Sequence, residues 1–535
     1  MKWPSLFLIL TLLVSSCQPS SSQKGQRETQ KLRINLASEP QTLDPRAARG
    51  LSDLTLMRMF FEGLTRIGKE EKPELALASK VDISEDLKTY TFHLRAANWT
   101  NGEPVTAEDF AYAWKKILDP KFPSDSAFQL YVIKNAKAVK QATAPIDALG
   151  VQVVDAQTLK VELEQPTPYF LELVASPCFF PVHKKTDETN THWMENASSY
   201  VSNGPFSLAE WKHQNCILAK RNPTYWDSQA VALSEIEMVM VKEETELKMF
   251  EKRELDWAGS PLSALPVDAL RELKSGKHLH VKPSLGTYFL RANVEKPPFD
   301  NPKIRWAFAL AIHRQAIVEH VTQGNQIPAT SIVPISMHLQ NEPYFQDGDV
   351  EMARSLFKAI LSELKISKEE FPEVVLTYAM NERNHLIAQA LQQQWFEALG
   401  VHVRLEGIER KVYFDRLSKK DYQLSSGNWL ADFNDPINFL EVFKYKATGT
   451  NNTQWEDPNY TELLDDSMRL SDLEKRKQIL RHSERILMDA MPVIPLYHYT
   501  LLYLKDDKLK DVVLTSMGQV DFKWVRFARD SEEKK

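Results

Sequence analysis

Stretches that alternate apolar and polar residues recur along the whole of this chain, and stretches with a helical stripe fall between them. A fold made from it must therefore bury sheet faces and helix faces together. Leu32-Arg33-Ile34-Asn35-Leu36 and Tyr90-Thr91-Phe92-His93-Leu94 have the period of two of half-buried strands. Residues 151–163 hold two more such stretches, and 217–221, 236–241 and 401–405 read as strands. Thr106 predicts an N-cap for a helix over 107–118, with Asp109 closing a capping box and Asp119-Pro120 ending it. Residues 386–399 set Ile387, Leu391, Trp395, Ala398 and Leu399 on one stripe, with Gly400 as the stop. Ser471 and Glu474 mark a second capping box for a helix over 471–490. There is no short internal repeat, so the reading is a layered α/β body. At 535 residues it exceeds the roughly 250–300 residues that one core serves, which predicts at least two lobes.

Charge and the N-terminus narrow the setting. The net charge is −6, and the basic residues that come closest to a patch, Lys115, Lys116 and Lys121, lie in a mixed helix and loop. That is no nucleic-acid footprint. Lys2 precedes an apolar run over 6–14, interrupted only by Thr11, which is too short for the roughly 20 residues of a bilayer span and reads as a secretory signal. Val14-Ser15-Ser16-Cys17 resembles a bacterial lipobox, whose cysteine takes a diacylglycerol and becomes the mature N-terminus. On that resemblance 1–16 is a lipoprotein signal peptide, Cys17 the lipid anchor and 17–31 a polar, flexible tether, so the body is held at a membrane surface. Cys178 and Cys216 fit either one disulfide or two free thiols.

Catalytic patterns are missing. The chain has no P-loop, G-x-G-x-x-G, H-E-x-x-H or C-x-x-C, and the reading is no enzyme, no cofactor and no metal. His313 and His320 are seven apart on an expected helix, too far for paired ligands. Ser355…Lys358 and Ser362…Lys365 match S-x-x-K without its companion motifs. Tyr131, Trp429, Phe433, Tyr497 and Tyr499 sit near strand ends or in loops, where aromatics line either a core or a ligand cleft.

Six stretches resemble the oligopeptide-binding proteins of bacterial ABC importers, extracellular solute-binding family 5, and they occur in the family's order. They are Glu39-Pro-Gln-Thr-Leu-Asp-Pro45, Phe61-Glu-Gly-Leu64, Trp99-Thr-Asn-Gly-Glu-Pro-Val-Thr-Ala-Glu-Asp-Phe110, Asn203-Gly-Pro-Phe206, Arg221-Asn-Pro-Thr-Tyr-Trp-Asp227 and Asn428-Trp-Leu-Ala-Asp-Phe-Asn-Asp-Pro436. The resemblance implies a two-lobed periplasmic-binding-protein-like fold with an extra packed region and a hinge between lobes. It places a discontinuous lobe I at 32–51, 182–285 and 500–535, an inserted region II at 52–181 and lobe III at 286–499. It further implies a monomer in the cell envelope, on the periplasmic or extracellular face of a bacterial membrane. Such a receptor takes short peptides and delivers them to an ABC permease with its ATPase subunits.

In such receptors the ligand lies extended between the lobes, held by main-chain hydrogen bonds. The resemblance assigns one edge to Glu39, Pro40 and Gln41 and the other to Asn428, Trp429 and Leu430, and matches Asp432 to the aspartate that pairs with the ligand's α-amino group. Tyr131 and Tyr499 are further lining candidates. At the carboxylate end the pattern departs: Ser426 and Thr322 stand where basic residues are found. Arg383 is a candidate for that end or a solvated helix start, and Arg291 a candidate for a side-chain pocket. A disulfide of some relatives is replaced by Gly286 and Leu430. The alternatives left open are murein-derived peptides or another small solute, and a surface lipoprotein with an adhesion or signalling role.

Overall fold

The computed structural model describes residues 30–528, apart from 125, 267, 277, 341 and 448. The leader, Cys17 and nearly all of the tether lie outside the described residues.

Three sheets carry the architecture. In the first, strands run in the order Lys31–Asn35, Glu235–Val239, Cys216–Arg221 and Phe206–Lys212; the opening pair is parallel and the rest antiparallel. The second is antiparallel, with the order Ala78–Ile83, Thr89–Leu94, Thr158–Glu162 and Val151–Asp155. The third orders Trp257–Gly259, Val493–Lys505, Leu279–Ala292, Leu424–Leu430, Val374–Ala379 and Val403–Ile408, and Ile327–Pro328 also pairs with Val493–Lys505.

Local chemistry accounts for where elements begin and end. The Thr106/Asp109 capping box opens the helix Ala107–Leu118 as the spacing predicts. The strand expected over 236–241 stops at Val239, because the Asn35 side chain replaces the ladder: Val241 N–H donates to its Oδ1 (2.9 Å) and its Nδ2 donates to Val241 O (3.0 Å). The helix expected over 386–399 begins earlier, at Glu382, because Asn381 accepts the Asn384 N–H (2.8 Å). Asp472, not Ser471, caps Leu473–Ala490 by accepting the N–H groups of Glu474 and Lys475, both at 3.1 Å. The strand read over 401–405 runs Val403–Ile408. His313 is an N-cap, accepting the Ala316 N–H (3.1 Å), so it does not share a helix face with His320.

Two apolar cores follow. The larger packs the first two sheets around Trp99, Trp114 and Trp193. The second lies under the third sheet, where Ile387, Leu391, Trp395, Ala398 and Leu399 are buried along one helix face. Cys178 and Cys216 are both free thiols. Among the described residues no helix is long and apolar enough to cross a membrane.

Two long strands join the lobes. Residues 279–283 pair with 500–504 beside Trp257–Gly259, and 287–291 pair with 493–498 beside Leu424–Leu430. Between these halves the register shifts, from Pro283↔Thr500 to Thr287↔His498. A β-bulge bends and twists a strand, so both long strands change course at this irregularity.

Candidate functional site

The site begins with an unfinished sheet edge. Leu424–Leu430 pairs along its whole length with the strand Leu279–Ala292, from Ala292↔Leu424 to Gly286↔Leu430. On its other side it pairs with Val374–Ala379 only at Leu424 and Ser425. The Ala431 N–H donates to Leu285 O (2.9 Å), which sets the alternation: odd-numbered residues turn their main chain toward the paired strand. The main-chain groups of Asn428 and Leu430 therefore face the open edge. Ser426 O, the preceding group on that edge, is already taken by Arg291 Nη1 (2.8 Å) and by the Tyr413 hydroxyl. Asn428 is exposed, and Leu430 is 56% exposed. An edge with unpaired N–H and C=O groups is a template for another strand.

Beyond the edge the chain turns into a loop pinned by Asn438. Its Oδ1 accepts the Trp429 indole N–H (2.9 Å) and the Asp432 N–H (3.2 Å). Burial raises the Asp432 carboxyl above its ordinary range, Asn438 offsets this only in part, and among the described residues Asp432 forms no ion pair. Three residues on, Asp435 is also buried but is clamped by Arg476 through both oxygens (2.5 and 2.8 Å). Glu441 is pushed up to about 7 by burial and by the nearby carboxylates of Asp435 and Asp432, against the pull of Lys444. Asp435 and Glu441 thus have cations beside them, whereas the Asp432 carboxylate forms no ion pair among the described residues, which is what an ammonium group requires.

Asp432, Leu430 and Tyr499 line one cavity of about 550 Å³ at the meeting of the lobes, together with Arg49, Leu51, Arg58, Gln129 and Leu285. Tyr499 meets Tyr497 edge-on (5.5 Å, 86°), and burial pushes its hydroxyl up to about 12 against the opposing charge of Arg383. Arg383 itself is exposed on the first turn of the helix Glu382–Leu399, near these tyrosines. Gly286 and Leu430 are cross-strand partners, and a Cβ on Gly286 would lie 2.8 Å from Tyr499 Cδ2 and closer still to Leu430. A side chain there would have to push the Leu430 and Tyr499 side chains aside.

The remaining candidates lie elsewhere. Glu39 is turned to His213 Nδ1 (2.8 Å) and the Gln214 N–H (2.5 Å), Pro40 is buried, and the Gln41 N–H donates to Asp53 (3.3 Å); none of the three lines the cavity. The facing wall is instead formed by Arg49, Leu51, Leu54 and Arg58. Tyr131, in the short helix Ala127–Val132, is half-buried against the larger core. Thr322 is buried and donates to Gln326 Oε1 (2.8 Å), and Ser426 is buried in its strand. Arg58 was not legible as a site residue, because an arginine inside Leu51–Phe60 reads as an ordinary helix position.

The chain is similar to known proteins over nearly its full length. The model of bacterial extracellular solute-binding proteins, family 5 (middle), matches residues 72–451. Oligopeptide-binding protein OppA of Bacillus subtilis (strain 168) is 43% identical over 97% of this chain and 98% of its own. The unliganded open form of the periplasmic murein tripeptide binding protein MppA superposes with a TM-score of 0.85 at 28% identity, covering 94% of this chain and 98% of that one. Haemophilus influenzae OppA in complex with the peptide RPPGFSPFR gives 0.70 at 26% identity, covering 94% and 99%. The two lobes and the cleft between them are those of this fold.

Proposed function

This chain belongs to the bacterial extracellular solute-binding proteins of family 5, and from that premise we propose that it captures short peptides between its lobes for an ABC importer. The observation that carries the reading is the open strand edge at Asn428 and Leu430 beside the cation-free carboxylate of Asp432. A peptide added to that edge gains main-chain hydrogen bonds whatever its side chains, and its α-ammonium meets Asp432. The facing residues Arg49 and Leu51 take the place that the resemblance gave to Glu39, Pro40 and Gln41. Similarity to a peptide-binding protein of Bacillus subtilis and to a peptide complex from Haemophilus influenzae supports this ligand class.

In this reading residues 286–499 move as one lobe against 32–51, 182–285 and 500–535, with 52–181 packed on the latter, and the bulge at 284–286 and Tyr499 is the hinge. The protein acts as a receptor and not as an enzyme, is monomeric, and hands its cargo to a permease with ATPase subunits. Cys17 carries the lipid that holds it to the membrane. Native mass spectrometry of protein purified without refolding tests the ligand: a ladder of peptide masses supports the reading, and a single non-peptide mass overturns it. Cys17→Ser should move the protein from the detergent phase to the aqueous phase; unchanged partitioning would remove the anchor.

A further inference from the structure

The cavity that holds Asp432 also holds a charge of the opposite sign that the protein leaves unbalanced. Arg58 lies near the end of the helix Leu51–Phe60, is only 5% exposed and lines the cavity. Its Nη1 donates to the Leu54 carbonyl of its own helix (3.1 Å), and among the described residues it forms no ion pair. The nearby carboxylates are already committed. Asp521 takes Arg66 Nη1 on both oxygens (3.0 and 2.8 Å), and Glu62 takes Arg66 Nε (2.7 Å). Arg66 also donates to the Arg58 carbonyl (2.6 Å), and its positive charge opposes the pull of Asp521 on the Arg58 guanidinium. Burial, offset in part by Asp521, draws the Arg58 guanidinium down to about 10, which leaves it cationic at neutral pH.

A buried guanidinium without a counter-ion is costly to keep, and one that borders a ligand cavity can be neutralised by what enters it. Asp432 supplies the site for an ammonium, and the same enclosed space then offers a fork of N–H donors shaped for a carboxylate. We propose that Arg58 is an anion subsite of the cleft, and that it binds a carboxylate of the peptide whose amino group sits at Asp432. The inference rests on the peptide-binding reading above and narrows it to peptides that present a carboxylate within the cavity. Two sources share that chemistry: an acidic side chain and the peptide's own C-terminus.

The test is calorimetry on the full chain, freed of bound material, with alanine tetrapeptides. Glu is placed at each position in turn and compared with Gln, and the all-alanine peptide is compared with its C-terminal amide. A charged fork should favour the carboxylate by about tenfold or more at one position. Preference for Glu over Gln assigns the side chain, and preference for the free acid over the amide assigns the C-terminus. Arg58→Gln should abolish that preference, so that the charged and uncharged members of the pair bind alike. Arg58→Lys, which keeps the charge and the helix, should retain a reduced preference if the glutamine variant does not fold. Peptides that bind without any carboxylate preference overturn the subsite, as does a preference that survives in Arg58→Gln or disappears in Arg49→Gln instead. Absence of all peptide binding would overturn the peptide reading itself.

Discussion

Two groups of buried charge in this molecule have been treated in opposite ways. Between the N-terminal segment and the helix Lys184–Thr189, Arg46 donates to both oxygens of Asp44 (2.9 and 2.8 Å) and of Asp187 (2.9 and 2.6 Å). Asp187 also accepts from the Tyr112 hydroxyl (2.6 Å) and the Trp193 indole (2.8 Å). Burial alone would raise the Asp187 carboxyl, yet Arg46 and these donors hold it below its usual range. In the cleft, Asp432 and Arg58 have no such partners, and both shift toward their neutral forms. A satisfied network fixes the fold, whereas an unsatisfied one stores affinity for something outside the chain.

Removing a member of each group should expose the contrast. Arg46→Met leaves two buried aspartates without a cation and should cost about 3–5 kcal/mol of stability, measured by urea unfolding. Peptide affinity of the remaining folded protein should not change; a loss below about 1 kcal/mol would show that the network is not part of the scaffold. Asp432→Asn should do the reverse. Binding of free-amine peptides should weaken by roughly 2–5 kcal/mol in calorimetry, and N-acetylating the peptide should add little further loss, because both changes remove the same pair.

The sign of the pH dependence follows from the raised Asp432 carboxyl. An acid whose folded pKa exceeds its unfolded one lowers native stability as pH rises past the unfolded value. Asp432→Asn should thus leave the ligand-free protein as stable as wild type, or more so, at neutral pH. Wild-type affinity should fall on acidification, beginning above the usual aspartate range, because protonation removes the charge that the ammonium needs. An equal fall in the Asn variant would place the titration elsewhere.

A smaller effect tests the strand edge. N-methylating a central peptide bond of the ligand should cost about 1–3 kcal/mol by leaving a buried group unsatisfied. No loss would mean that the cargo does not bind as a strand. Smallest of all, Gly286→Ala should destabilise the protein by about 1 kcal/mol through crowding against Leu430 and Tyr499. A neutral result would mean that the hinge absorbs the methyl group by shifting.

What could be read from the sequence was what is written locally. The Thr106/Asp109 box and the helix stripe through Trp395 each fit within about a dozen residues, and their helices were anticipated; the segment from Asn428 to Asp435 stood out only through the family resemblance, and its strand was not anticipated. Strand alternation located most of the first two sheets but, apart from 401–405, none of the third, which is assembled from segments as distant as Trp257 and Lys505. Long-range partners were invisible: Arg46 and Asp187 are 141 residues apart. So was the facing wall of the cleft, because nothing in the sequence around Glu39 shows that its carboxylate turns to His213. Arg58 was missed for the same reason. Its meaning depends on which carboxylates are already occupied, and Asp521, taken by Arg66, lies at the far end of the chain.

The first strand has a mechanical consequence. Lys31–Asn35 enters the body as an edge strand, lying parallel to Glu235–Val239 over five residue pairs, while the far lobe is joined through the two strands Leu279–Ala292 and Val493–Lys505. Tension applied at the N-terminus is carried in shear by that parallel ladder, and the route of the load does not pass through the bulge at 284–286. A molecule pulled at its first strand would bend at that bulge with the same ease as one under no load.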